Sequence, residues 1–122
     1  SRMLRGVVEK NDKLVDATLD KMQKDDWTSF YRMVADSISG MCDLVPKEDF
    51  MKLFNKFSAR NPPKQHFLGI AYAAFMKKKY DIAVAVAEVA ARKFKDEPKV
   101  QKEFNLLKAF VLKQKPEAPP AK

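Results

Sequence analysis

The side chains with the most capacity for chemistry in this chain are cationic. Lys52, Lys56, Arg60 and Lys64 recur every fourth residue, and Lys77, Lys78 and Lys79 follow as a run. Four-residue spacing lines side chains up along one face of a helix. The chemistry such a row offers is Coulombic: attraction of nucleic acid, anionic head groups or acidic peptide. The charge is placed unevenly. Residues 46–79 hold eight basic and two acidic residues, whereas residues 25–45 hold one Arg and four Asp; the whole 122-residue chain carries +8. These seven basic residues are the candidate partner-binding surface.

Other reactive residue types are sparse. Cys42 is the only cysteine and His66 the only histidine, and they fall in different helical segments, so the thiol lacks a neighbouring base. Cys42 reads as a buried structural thiol, and His66, without a second ligand at metal spacing, as no metal site. Asp12, Asp16 and Asp20 form an acidic row, which in the absence of His or loop oxygens reads as a solvated face. Phosphate loops, dinucleotide fingerprints, zinc-helix motifs, nucleophile elbows, CxxC pairs and calcium loops are all missing. No catalytic residue, metal ligand or cofactor is expected, and the chain reads as a non-enzyme.

The elements that must position the basic row are helical. Three glycines among 122 residues, with abundant Ala, Lys and Leu, favour an all-α class. The centre is a pair of alanine-rich apolar segments between Phe67 and Phe94, broken by Met76-Lys77-Lys78-Lys79. Phe67, Leu68, Ile70, Ala71, Tyr72, Ala74 and Phe75 fall on every side of a helix, which predicts burial all round. In the second segment Glu88 and Arg92 are spaced as an i,i+4 pair. Ile82, Val84 and Val86 alternate with alanine in a strand-like way, but alanine's helix preference decides for a helix. Tyr80-Asp81 reads as a staple residue followed by an N-cap.

Amphipathic helices are expected around this hairpin. Residues 2–23 read as one helix with Leu4, Val7, Val8, Leu14, Val15, Thr18, Leu19 and Met22 on its apolar stripe. Asn11 lies in that stripe, bonding a neighbouring backbone group or setting the register of a helix contact. Asp25-Asp26 then caps a helix over residues 27–41 that buries Trp27, Phe30, Tyr31, Val34, Ile38 and Met41. Pro46 starts a third in its first turn, with Phe50, Met51, Leu53, Phe54 and Phe57 opposite the basic row. A last helix over residues 99–114 buries Val100, Phe104, Leu107, Phe110 and Val111. About six antiparallel helices result, in a solenoid-like or bundle arrangement: a single domain over residues 1–114 with a flexible Pro/Lys-rich tail at 115–122.

Leu68-Gly69 followed by Tyr72, small residues at Ala83 and Ala90, and Pro98 at the close resemble the hairpin of a tetratricopeptide unit. Phe67, Ala83, Pro98 and Phe104-Asn105-Leu106-Leu107 are similar to the pentatricopeptide pattern, so the resemblance covers about residues 66–110. It implies solenoid-like packing, with Gly69, Ala71, Ala83, Ala87 and Ala90 permitting close helix approach, and partner binding as the usual role.

The function expected is therefore a non-enzymatic protein-protein interaction module, an accessory subunit of a larger complex, whose partner is another protein or an acidic peptide. The alternative is single-stranded RNA binding through the basic surface. A lone cysteine, with no N-glycosylation sequon, favours an intracellular setting, in cytoplasm, nucleus or mitochondrion. No apolar run reaches the roughly 18 residues of a membrane span.

Overall fold

The computed structural model describes residues 1–116, and these form seven helices with no strand among them: α1 (Arg2–Val8), α2 (Asp12–Asp25), α3 (Phe30–Met41), α4 (Lys47–Ser58), α5 (Lys64–Met76), α6 (Tyr80–Lys93) and α7 (Pro98–Gln114). The all-α class is thus observed, with seven helices in place of about six. Of the 115–122 tail, only Lys115 and Pro116 lie within the described residues.

The extra helix comes from a break inside the expected first one. Lys10 takes a left-handed φ of 54°, and the Asn11 N–H donates back to the Gly6 carbonyl at 2.8 Å, the bond that closes a Schellman turn. The Asn11 side chain then accepts from the Leu14 N–H at 3.0 Å. Asn11 does bond backbone, but as the N-cap of α2 and not within a continuous stripe. Val8, placed on that stripe, is exposed as a result. Gly6 allows the fold-back: a Cβ there would stand 2.8 Å from Val15 Cγ2 and 3.3 Å from the Val15 nitrogen.

A similar competition moves the start of α3. The Asp26 carboxylate accepts from Thr28 Oγ1 at 2.9 Å and from the Ser29 N–H at 3.3 Å, forming a local turn in place of a helix cap. The helix begins at Phe30, and Trp27, expected in the core, is 75% exposed. Pro46 precedes α4 as its N-cap residue and is not in its first turn. Likewise Asp81 is inside the first turn of α6, whose cap position is Lys79.

The core draws on all seven helices, from Met3, Leu19 and Val34 to Phe104 and Val111, and one aromatic cluster within it lies where α4, α5, α6 and α7 meet. Phe67 is fully buried, and its ring packs edge-on against Phe54 of α4 at 5.7 Å, Phe94 at the end of α6 at 5.5 Å and Phe104 of α7 at 6.3 Å. Ala74, Ala83, Ala87 and Ala90 are also fully buried, and their small side chains let the helix backbones approach. Gly69 does not share this role: it is exposed, and a Cβ there would meet nothing within 4 Å.

Side-chain pairs fix the helix directions. Asp12, Asp16 and Asp20 meet Lys52, Lys56 and Arg60 in order, so α2 and α4 are parallel. Tyr31 lies by His66 at one end and Lys77 by Asp43 at the other, so α3 and α5 are parallel. Lys64 reaches Glu103 and Phe75 packs on Phe110, which makes α5 and α7 parallel, with α6 antiparallel to both through Phe75–Tyr80 and Lys108–Glu88. Glu88 therefore pairs across helices at 3.6 Å with Lys108, and not with Arg92 as its spacing suggested.

Gly6→Ala is expected to destabilise the protein by about 1–3 kcal/mol, because Val15 is stiff, buried and close on both side-chain and backbone atoms. Gly69→Ala, in open space on a helix, is expected to stabilise it by about 0.5–1 kcal/mol. Urea melts of the two variants check the contrast.

Candidate interaction site

Most of the predicted basic row is already in contact with acid. Lys52 Nζ lies 3.9 Å from Asp12, Lys56 Nζ 2.8 Å from Asp16, and Arg60 Nη2 2.7 Å from Asp20. Lys64 binds Glu103 at 3.0 Å, and Lys77 binds Asp43 at 3.3 Å. Arg60 is held further by Gln23 at 2.7 Å and by the Phe30 ring beneath its guanidinium at 5.8 Å. The acidic face of α2 and the basic face of α4 are thus one interlocked surface. Each pair is separated by forty residues, and both rows step by four. That shared step was visible in the sequence, but only the packing of the two helices turns it into contacts, here in parallel order.

Lys78 and Lys79 differ from the other five. Both are exposed and form no ion pair among the described residues. Lys78 takes a left-handed φ of 61° and ends α5 in a Schellman turn, the Lys79 N–H donating to the Ala74 carbonyl at 2.8 Å. With Lys47, Asp81 and Lys115 they line an open pocket of about 370 Å³ beside the first turns of α4 and α6. Lys115 holds Asp81 there at 2.6 Å, and this contact lowers the Asp81 carboxyl pKa below its ordinary value.

The second surface is apolar and was not anticipated. Between parallel α5 and α7, Leu68, Phe75 and Leu107 are half-buried, while Tyr72 (63%), Met76 (60%), Leu106 (60%) and Phe110 (51%) stand exposed. The sequence pattern places Tyr72 and Phe110 in the core, and the structure exposes both. The reason lies in how α6 is used. It covers the inner side of α5 and α7 together, and α3 packs along another side of α5. Among the described residues no helix covers the outer side of the seam between α5 and α7, so an apolar strip is left open there. The tilted rings of half-buried Phe75 and exposed Phe110 meet between the two helices, 5.5 Å apart.

The isolated reactive groups are held in structural roles. Cys42 is 2% exposed, and burial raises its thiol pKa, against a smaller lowering by Lys77, which suppresses the nucleophilic thiolate. His66 is half-buried against the Tyr31 ring, and burial lowers its pKa. Among the described residues, no group of three or more His, Cys, Asp or Glu is placed to hold a metal ion, and no helix is long and apolar enough to cross a membrane.

Because the folded state disfavours the protonated imidazole, stability contributed by neutral His66 is present above its unfolded pKa, about 6.5, and is lost as pH falls toward the lower folded value. His66→Gln should flatten that part of a stability profile measured between neutral and mildly acidic pH. Replacing Asp12, Asp16 and Asp20 together by Asn releases Lys52, Lys56 and Arg60. The triple variant should bind single-stranded RNA at least about tenfold more tightly than the parent at low salt, as read by fluorescence anisotropy. Compared with protein-family models, curated proteins and solved structures, the chain matches none.

Proposed function

We propose that this protein is a non-enzymatic helical interaction module, an accessory subunit of an intracellular assembly, and that it docks a protein partner on the strip between α5 and α7. The observation that carries this reading is the alignment of Tyr72, Met76, Leu106 and Phe110, all more than half exposed, along two adjacent parallel helices. Scattered apolar residues are normal on a protein surface, but a continuous line of large ones is costly to hydrate and marks a contact site. The successive parallel helix pairs also suit a solenoid-like packing, and the stretch of about residues 66–110 that resembles tetratricopeptide and pentatricopeptide hairpins spans α5, α6 and most of α7. Single-stranded RNA binding draws less support, because Lys52, Lys56, Arg60, Lys64 and Lys77 already face carboxylates. Lys78 and Lys79 alone remain of that surface.

Chemical cross-linking and affinity capture of tagged protein, with and without RNase and at two salt concentrations, test the reading. A protein partner should persist after RNase treatment and be lost from the Tyr72→Ser/Phe110→Ser variant. Recovery that disappears with RNase, or that survives the double substitution unchanged, would refute it.

A further inference from the structure

The open strip has a distinct charge as well as a distinct shape. α5 contains no acidic residue, and α7 contains one, Glu103, which is bound to Lys64. Lys99, Lys102 and Lys113 of α7 are exposed and have no ion-pair partner among the described residues. At helical pitch, Lys99, Lys102, Leu106, Phe110 and Lys113 lie within about 80° of arc. The lysines therefore bracket the two apolar side chains, one turn before Leu106 and one turn after Phe110.

We propose that the strip receives an acidic amphipathic helix of a partner protein, with apolar anchors seated among Tyr72, Met76, Leu106 and Phe110 and carboxylates facing Lys102 and Lys113. This rests on the docking reading above and adds the chemistry of the partner. The pitch of the strip fits a helix. Tyr72 and Met76 on one wall, and Leu106 and Phe110 on the other, are each four residues apart, about 6 Å along the axis. Because α5 and α7 are parallel, the two walls rise in step, and anchors spaced i, i+3/i+4 and i+7 match that interval.

Charge selects the sign of the partner. A second copy of this chain, docked about a two-fold axis, would set Lys102 and Lys113 against their own kind with no free carboxylate on either wall. A nucleic acid strand would satisfy the lysines but would leave aliphatic Met76 and Leu106 without partners, since bases stack on aromatic faces. Carboxylates flanking apolar anchors satisfy both parts of the strip together.

The test uses the full chain and two synthetic helical peptides of about 18 residues. They share the same leucine and phenylalanine positions, and their polar positions carry glutamate in one and lysine in the other. Single-stranded oligouridylate is the third ligand. Calorimetric titration at about 50 mM salt should show the glutamate peptide binding at least about tenfold more tightly than the lysine peptide. Lys102→Glu/Lys113→Glu should reverse that order, a readout that does not depend on the core. Tyr72→Ser and Leu106→Ser should each weaken the glutamate peptide by about tenfold while leaving thermal melting near that of the parent, since both side chains are mostly exposed. Equal affinity for both peptides, indifference to these substitutions, or displacement of the peptide by oligouridylate would overturn the inference. If capture of a protein partner still depends on Tyr72 and Phe110 while the glutamate peptide fails to bind, the docking reading stands and the acidic helix is wrong.

Discussion

The structure depends on one aromatic junction. Phe67 is a single side chain of α5, yet its ring touches those of Phe54, Phe94 and Phe104, supplied by α4, the end of α6 and α7. Edge-on contacts of this kind add to the free energy of burial and fix the mutual orientation of the rings. Truncating a buried Phe typically costs about 3–5 kcal/mol, a large share of the stability of a domain this size. Around the junction the alanines of α5 and α6 keep the backbones close. Aromatic rings are thereby gathered at both ends of the hairpin, Phe67 with Phe94 at one and Phe75 with Tyr80 at the other, and the small side chains lie between them.

Charge plays a different part. Exposed ion pairs contribute little to stability, typically below about 1 kcal/mol each. The ladder between α2 and α4 neutralises two charged faces against each other. Because both rows step by four, a slip of one helix turn would still pair two of the three rungs, so the ladder alone does not set the alignment of the two helices. Arg60 anchors it most firmly: it binds Asp20 and Gln23, lies over Phe30, and its own carbonyl accepts the Tyr31 hydroxyl at 2.7 Å. Much of the basic row is therefore neutralised by the protein's own carboxylates. Among the described residues, unpaired cations remain at several places on the surface, Lys78, Lys79 and three lysines of α7 among them.

Secondary structure was largely legible because it is written in local periods. The segments ending as α4, α5, α6 and α7 were placed within a few residues, and the strand-like alternation at Ile82, Val84 and Val86 did not mislead. The errors occur where a polar side chain competes with the helix for backbone groups. Asn11 caps and interrupts, and Asp26 draws the chain into a turn that leaves Trp27 in solvent. Both are short-range bonds of a kind that the hydrophobic stripe, read alone, runs straight through.

The surface divides differently. Residue types and their four-residue spacing determined, from the sequence alone, an all-helical chain, a buried lone thiol and a basic helix face. Which cations are neutralised and which apolar side chains are left bare was decided only by tertiary packing. Lys56 and Asp16 are forty positions apart, and nothing local couples them until α2 and α4 lie parallel. Tyr72 and Phe110 carry the same apolar signal as Ile70 and Val111, and they differ only in whether a neighbouring helix exists on their side. Periodicity states that a face is apolar; the number and direction of the helices around it determine whether that face meets protein or water.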